Sequence, residues 1–235
     1  MKLLKTRAIA VAVGCLLAAH SHAALVEGQD YEVMAKPVPQ LQKDKVEVLE
    51  FFGYFCVHCY HLDPILLKHV KAWPNDVYLR SEHVVWQPEM MGLARITAAV
   101  NQSGLKMQAN PAVFKAVYEE KRRLEDPAVF KEWAVAQTSF DGKKLIAAYD
   151  SFSNQAEAKK MADLTQEYQI SGTPTLIVGG KYKMLFSGSD WNANMKKVEE
   201  MINQVRTERG MKAPAGKAAP SIKSKGASIA KAANK

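Results

Sequence analysis

The chain has 235 residues, 48% of them hydrophobic and 9% aromatic, which is ample for a packed core and excludes wholesale disorder, a collagen-like repeat or a coiled-coil rod. Its formal charge of +8 would be a nucleic-acid footprint if it were spread over a fold. Residues 1–23 carry Lys2, Lys5 and Arg7 without an acid, residues 210–235 carry six lysines without an acid, and the remainder holds 23 basic against 24 acidic groups. The charge therefore sits in two appendages around a nearly neutral body.

The first appendage has the layout of a secretory signal peptide: a basic start, an apolar run from Ala8 to Ala19, and Ser21-His22-Ala23 as a small-x-small cleavage site. A retained membrane span needs about 20 apolar residues. This run has 12. The stretch ending at Cys15 loosely resembles a lipoprotein cleavage site, but the apolar residues continue through Leu16, Leu17, Ala18 and Ala19, which argues against lipid anchoring. Cleavage after Ala23 removes Cys15 and leaves Cys56 and Cys59 as the remaining cysteines. A disulfide between these two closes a loop too short to constrain the unfolded chain, so the pair calls for a chemical explanation.

In chain order, Leu25 to Ala35 contains an alternating stretch (Tyr31, Val33) that fits a leading strand, and Val46 to Phe52 reads as a buried strand. The latter runs through Gly53-Tyr54-Phe55 into a helix from Val57 to about Trp73, with Leu62, Ile65, Leu66, His69 and Val70 at helical spacing. Val77 to Trp86 is a further strand. Residues 89–170 then show helical periodicity in five segments: Met91–Gln102, Pro111–Leu124, Pro127–Ala136, Lys143–Tyr149 and Ala156–Tyr168. Thr175 to Val178, Gly179-Gly180 and Tyr182 to Phe186 read as a hairpin, and Asp190 caps a last amphipathic helix. The expected organisation is a leader (1–23), a first α/β part (24–86), a helical insertion (87–170), a second α/β part (171–209) and a basic tail (210–235) too poor in large apolar residues to fold.

Cys-x-x-Cys at a strand-to-helix junction suits redox chemistry. A thiolate is the attacking species, and Cys56 at a helix N-terminus faces free N–H groups and the positive end of the macrodipole. His58 between the cysteines adds a further donor. Cys59, one turn in, is the shielded, resolving thiol. Stabilising the reduced thiolate makes the disulfide a better oxidant, so the pattern favours a disulfide donor over a reductant. The same spacing also opens many zinc sites. Here two more ligands would have to come from His58, His61, His69 and His83, and no second cysteine pair exists. Gly172-Thr173-Pro174 places a proline just ahead of an apolar strand, where either a strand-edge trans or a cis peptide is accommodated.

Phe51-Phe52-Gly53-Tyr54-Phe55-Cys56-Val57-His58-Cys59 together with Gly172-Thr173-Pro174 resembles the DsbA family of periplasmic thiol:disulfide oxidoreductases, and within it the neisserial type with Val between Cys and His. Most members carry Pro at the position of Val57. The resemblance covers about residues 25–209 and implies an α/β fold, a thioredoxin fold with an inserted helical domain. It further implies Cys56 as nucleophile, Cys59 as resolving thiol, His58 as thiolate stabiliser, and Thr173 with a cis Pro174 as the binding edge for extended substrate. Glu50 matches the family's buried acid and is expected to relay protons to or from Cys59. The disulfide itself is the redox group, with no organic cofactor or metal. The expected partners are reduced exported proteins and a DsbB-like quinone-linked membrane oxidase, and the tail is the part able to touch anionic surfaces. A reductase or isomerase using the same residues, and a zinc-binding or chaperone-like protein, are the competing functions.

Overall fold

The computed structural model of the protein describes residues 24–212. The leader, its cleavage point, Cys15 and the lysine-rich segment from residue 213 onward lie outside the described residues. β2 (Val46–Phe52) is buried at all seven positions, as a β-branched and aromatic strand covered on both faces must be. It belongs to a five-stranded sheet of order β1-β5-β4-β2-β3. The other strands are β1 (Tyr31–Val33), β3 (Val77–His83), β4 (Thr175–Val178) and β5 (Tyr182–Met184). β3 runs parallel to β2 in register from Val46 opposite Val77 to Phe52 opposite His83. A parallel pair needs a crossover, and α1 (Val57–Ala72) supplies it. β4 pairs antiparallel with β2 and forms a hairpin with β5. Gly180 in that hairpin has φ +72°, and a Cβ there would lie 2.2 Å from the Val38 carbonyl oxygen, so both backbone and space require glycine.

Val46 and Val48 pack on one face of the sheet with Leu62 and Leu66 of α1 and with Met195, Val198, Met201 and Ile202 of α7 (Trp191–Glu208). The Asp190 carboxylate accepts the Ala193 N–H at 3.0 Å and starts α7 as its capping side chain. Leu49 and Phe51 point the other way, against Ile177 and Ile170. Met211 packs partly buried on the α7 layer.

The insertion between β3 and β4 contains α2 (Met91–Ser103), α3 (Lys106–Phe114), a π-helical turn (Lys115–Glu119), α4 (Pro127–Val135), α5 (Gly142–Tyr149) and α6 (Asn154–Glu167). Its core of Leu93, Ile96, Val113, Phe114, Phe130 and Leu145 also takes in Phe52, Tyr54 and Cys59. The helical part thus closes directly over the end of β2. One segment differs from its sequence pattern: the helix expected from Pro111 to Leu124 starts at Lys106, holds Pro111 inside, and gives way to Lys121 at φ 55°. Its first turn is Lys106, Met107 and Gln108, and Leu105 in the cap position offers no capping side chain, so nothing in the sequence marked the start.

Candidate active site

Cys56 is the N-cap of α1. Its Sγ accepts the Cys59 N–H at 3.3 Å, the geometry that an Asp or Ser oxygen has in an ordinary cap. The hydrogen bond from the Cys59 thiol is the largest influence on it; the Thr173 side chain and the N–H groups of Cys59 and His58 add to it, and burial opposes them. The balance lowers the Cys56 thiol to about 5. Cys59 lies fully buried one turn on, and burial pushes its thiol well above the usual cysteine range, helped by the bond it makes to Cys56. One sulfur is an exposed-side thiolate and the other a buried thiol.

His58 is exposed, and what it brings to the sulfur is its backbone N–H. The Thr173–Pro174 peptide is cis. It immediately precedes β4, whose Thr175 pairs with Phe51, so the chain emerges beside the active-site turn. The Thr173 carbonyl oxygen lies 3.4 Å from Cys56 Sγ and accepts from the thiol when Cys56 is protonated. Phe55 (37% exposed), next to Cys56 in the chain, and Trp86 (41%) sit 5.9 Å apart ring to ring. Gly53 leaves room for this, because a Cβ there would stand 2.6 Å from the Phe55 ring.

Glu50 is 2% exposed, shares its side of β2 with Val48 and Phe52, and accepts a hydrogen bond from Ser81 of β3 at 2.7 Å. Burial raises its carboxyl above the usual range, while the Lys106 ammonium and the Ser81 bond pull the other way. Several neighbours of this acid escaped the sequence reading. Asp63 lies four residues after Cys59 on the buried stripe of α1, and burial, reinforced by Glu50, brings its carboxyl up to about 7. Its signal was available: an acid at a buried helical phase between Leu62 and Leu66. Asn110 of α3 donates to Asp63 Oδ1 at 2.6 Å and accepts the Tyr54 hydroxyl at 2.6 Å. His83 holds the turn by accepting the Tyr54 N–H at Nε2 (3.1 Å) while Nδ1 meets the Val84 carbonyl (2.7 Å), and burial depresses its pKa to about 4. Lys106 carried no signal, since only the tertiary fold brings α3 under β2.

Among the described residues no group of three His, Cys, Asp or Glu side chains is placed to share a metal. His69 instead meets Glu199 at 2.7 Å, and His83 is committed to backbone groups.

Residues 47–199 match the family model described as a DSBA-like thioredoxin domain. The thiol:disulfide interchange protein DsbA of Burkholderia cepacia is 36% identical over 183 residues, covering 77% of this chain and 86% of that protein. Among solved structures, the oxidoreductase NmDsbA1 from N. meningitidis superposes with a TM-score of 0.76 at 53% identity, covering 80% of this chain and 98% of that one. NmDsbA3 from Neisseria meningitidis gives 0.70 at 61% identity, covering 79% and 100%. Fold, sulfur chemistry and sequence agree: the chain belongs to the DsbA family and is a thiol:disulfide oxidoreductase with the thioredoxin-like fold interrupted by a helical domain.

Proposed function

We propose that the protein is an exported disulfide donor of the periplasm, carried there by the residue 1–23 leader cut after Ala23. The fold is then divided as 24–86 and 171–209 for the thioredoxin part, 87–170 for the insertion and 210–235 for the tail. A substrate thiolate attacks Cys56 of the Cys56–Cys59 disulfide; a mixed disulfide forms, and Cys59 leaves as a thiolate that takes up one proton. A second substrate thiolate attacks the substrate's own sulfur in the mixed disulfide, forming the substrate disulfide and releasing Cys56 as its stable thiolate. Two electrons and one proton stay on the protein.

The single observation that carries this direction is Cys56 Sγ at the N-cap of α1, accepting the Cys59 N–H at 3.3 Å beside a buried Cys59; this setting favours the thiolate, which is then a good leaving group. The exposed Phe55 and Trp86 rings, with Thr173 and the cis Pro174 beside Cys56, suit extended apolar segments of reduced exported proteins. In this reading Glu50, whose charge is felt by Cys59, supplies the Cys59 proton. A DsbB-like quinone-linked membrane protein is the fitting reoxidant, and the lysine tail the fitting contact for anionic surfaces; no cofactor beyond the disulfide enters this cycle. Equilibrium titration of purified residues 24–235 against a glutathione buffer, with free thiols trapped at each point, tests the direction. A couple more oxidising than glutathione is expected, and a strongly reducing one would move the protein to the reductases.

A further inference from the structure

Cys56, Tyr60, Asp63 and Pro64 stand at positions i, i+4, i+7 and i+8 of α1 and its cap, so they follow one another along one side of the helix, with about 10 Å of axis from cysteine to aspartate. The stripe runs into a cleft of about 350 Å³ where α1 meets α3 and the π-helical turn, walled by Tyr60, Asp63, Pro64, Phe114, Lys115 and Glu119. Asp63 is 2% exposed; Asn110 occupies its Oδ1, and its Oδ2 has no hydrogen-bond partner. A buried carboxyl oxygen without a donor is costly, so the cleft lacks a donor that it has reason to hold. Pro64 adds to this, because it has no N–H to give to the Tyr60 carbonyl one turn back. The rest of the wall suits a positively charged donor. The Tyr60 hydroxyl donates to Glu119, the Tyr60 ring stacks on Tyr118 at 4.9 Å, and the chain already lays one ammonium on this pair, with Lys121 Nζ 4.5 Å from the Tyr118 ring centre. Lys115, the one lysine of the wall, is engaged with Glu120 at 3.5 Å, and the Lys106 ammonium acts on Asp63 without a bond to Oδ2. His61, also on the wall, is exposed.

We propose that this cleft is a subsite for one basic side chain, a lysine or an arginine, of the polypeptide whose cysteine meets Cys56. It rests on Cys56 being the sulfur that engages the substrate. The ammonium or guanidinium donates to Asp63 Oδ2 and to Glu119, and its alkyl stem lies against the Tyr60 and Phe114 rings. An extended chain advances about 3.3 Å per residue, so the basic residue stands roughly two to four positions from the reacting cysteine. The cleft shares no wall residue with the edge formed by Phe55, Trp86, Thr173 and Pro174, so it reads a second part of the same substrate. Asp63 and Glu119 are specificity-determining residues, since they choose the side chain beside the cysteine and leave the exchange itself to the sulfurs.

The test follows the second-order attack of short cysteine peptides on the oxidised protein, residues 24–235. The peptides carry lysine, norleucine or glutamate at each of the positions two to four residues before or after the cysteine, and the readout is the ratio of rates within each set. The best-placed lysine is expected to exceed norleucine roughly tenfold, with glutamate slower than both. Glu119→Lys is expected to invert the order of lysine and glutamate, while Glu132→Lys, the same change of charge at an exposed position of α4, keeps it. Asp63→Asn is expected to bring the lysine-to-norleucine ratio down several-fold, and Glu119→Gln makes the same comparison should Asp63→Asn not fold. Equal rates for lysine and norleucine at every position overturn the subsite. So does an inversion that Glu132→Lys produces equally, because the preference would then be one of net charge. Slow attack by every peptide would count against the donor reading instead, and the ratios that decide the subsite are read from those same rates.

Discussion

Two cysteines three positions apart differ in the folded chain because one caps a helix and the other lies inside it. Cys56 accepts donors from Cys59, Thr173 and His58, whereas Cys59 meets the apolar core of the insertion and the acid Glu50. A group whose folded pKa of about 5 lies below its ordinary 9.0 stabilises the fold fully above the latter, and loses that contribution as pH falls through the former. Oxidised protein has no such thiolate. The stability of reduced over oxidised protein should therefore grow between these limits, by at most about 1.4 kcal/mol per pH unit. Urea midpoints of both forms, compared across that range, check it, and a difference independent of pH would contradict the thiolate. That Cys56, Cys59, Thr173 and Pro174 come together was legible, since they stand in short motifs. Asp63, Asn110 and Lys106 were not, because each acquires its role by burial against an element distant in sequence.

At the scale of elements, β2, α1 and α7 follow their sequence patterns closely: a continuous apolar run, a helical stripe and an Asp cap each specify one answer. α3 does not, having an uncapped polar first turn and Pro111 inside it. Yet α3 is tied to the active-site turn, through the chain of bonds from Tyr54 to Asn110 to Asp63. Asn110→Ala leaves both the Tyr54 hydroxyl and a buried carboxyl oxygen short of a partner. The expected cost is about 1–3 kcal/mol, with a larger loss above the Asp63 pKa of about 7, where the carboxylate is charged. Urea unfolding on either side of that pH measures it. Equal losses on both sides would show that Asp63 does not titrate there.

At the scale of the whole molecule, the insertion is part of the redox centre. Its core contains Cys59 and Phe52, so the Cys59 sulfur is walled by helices outside the thioredoxin part. The element order made the insertion visible in the sequence; that it seals Cys59 became visible only with the packing. The split between the two thiols gives the molecule a defined behaviour as an electrode. Reduction above pH 5 leaves Cys56 ionised and Cys59 protonated, so two electrons arrive with one proton. The midpoint potential should then fall by about 30 mV for each unit rise in pH, and by about 59 mV per unit only in acid below the Cys56 pKa. Redox titrations at several pH values would expose the change of slope, and a single slope of about 59 mV throughout would mean that both sulfurs bind protons together. Because of that shallower slope, the protein would keep more of its oxidising power on moving from acid to neutral surroundings than a dithiol whose two sulfurs both gain protons.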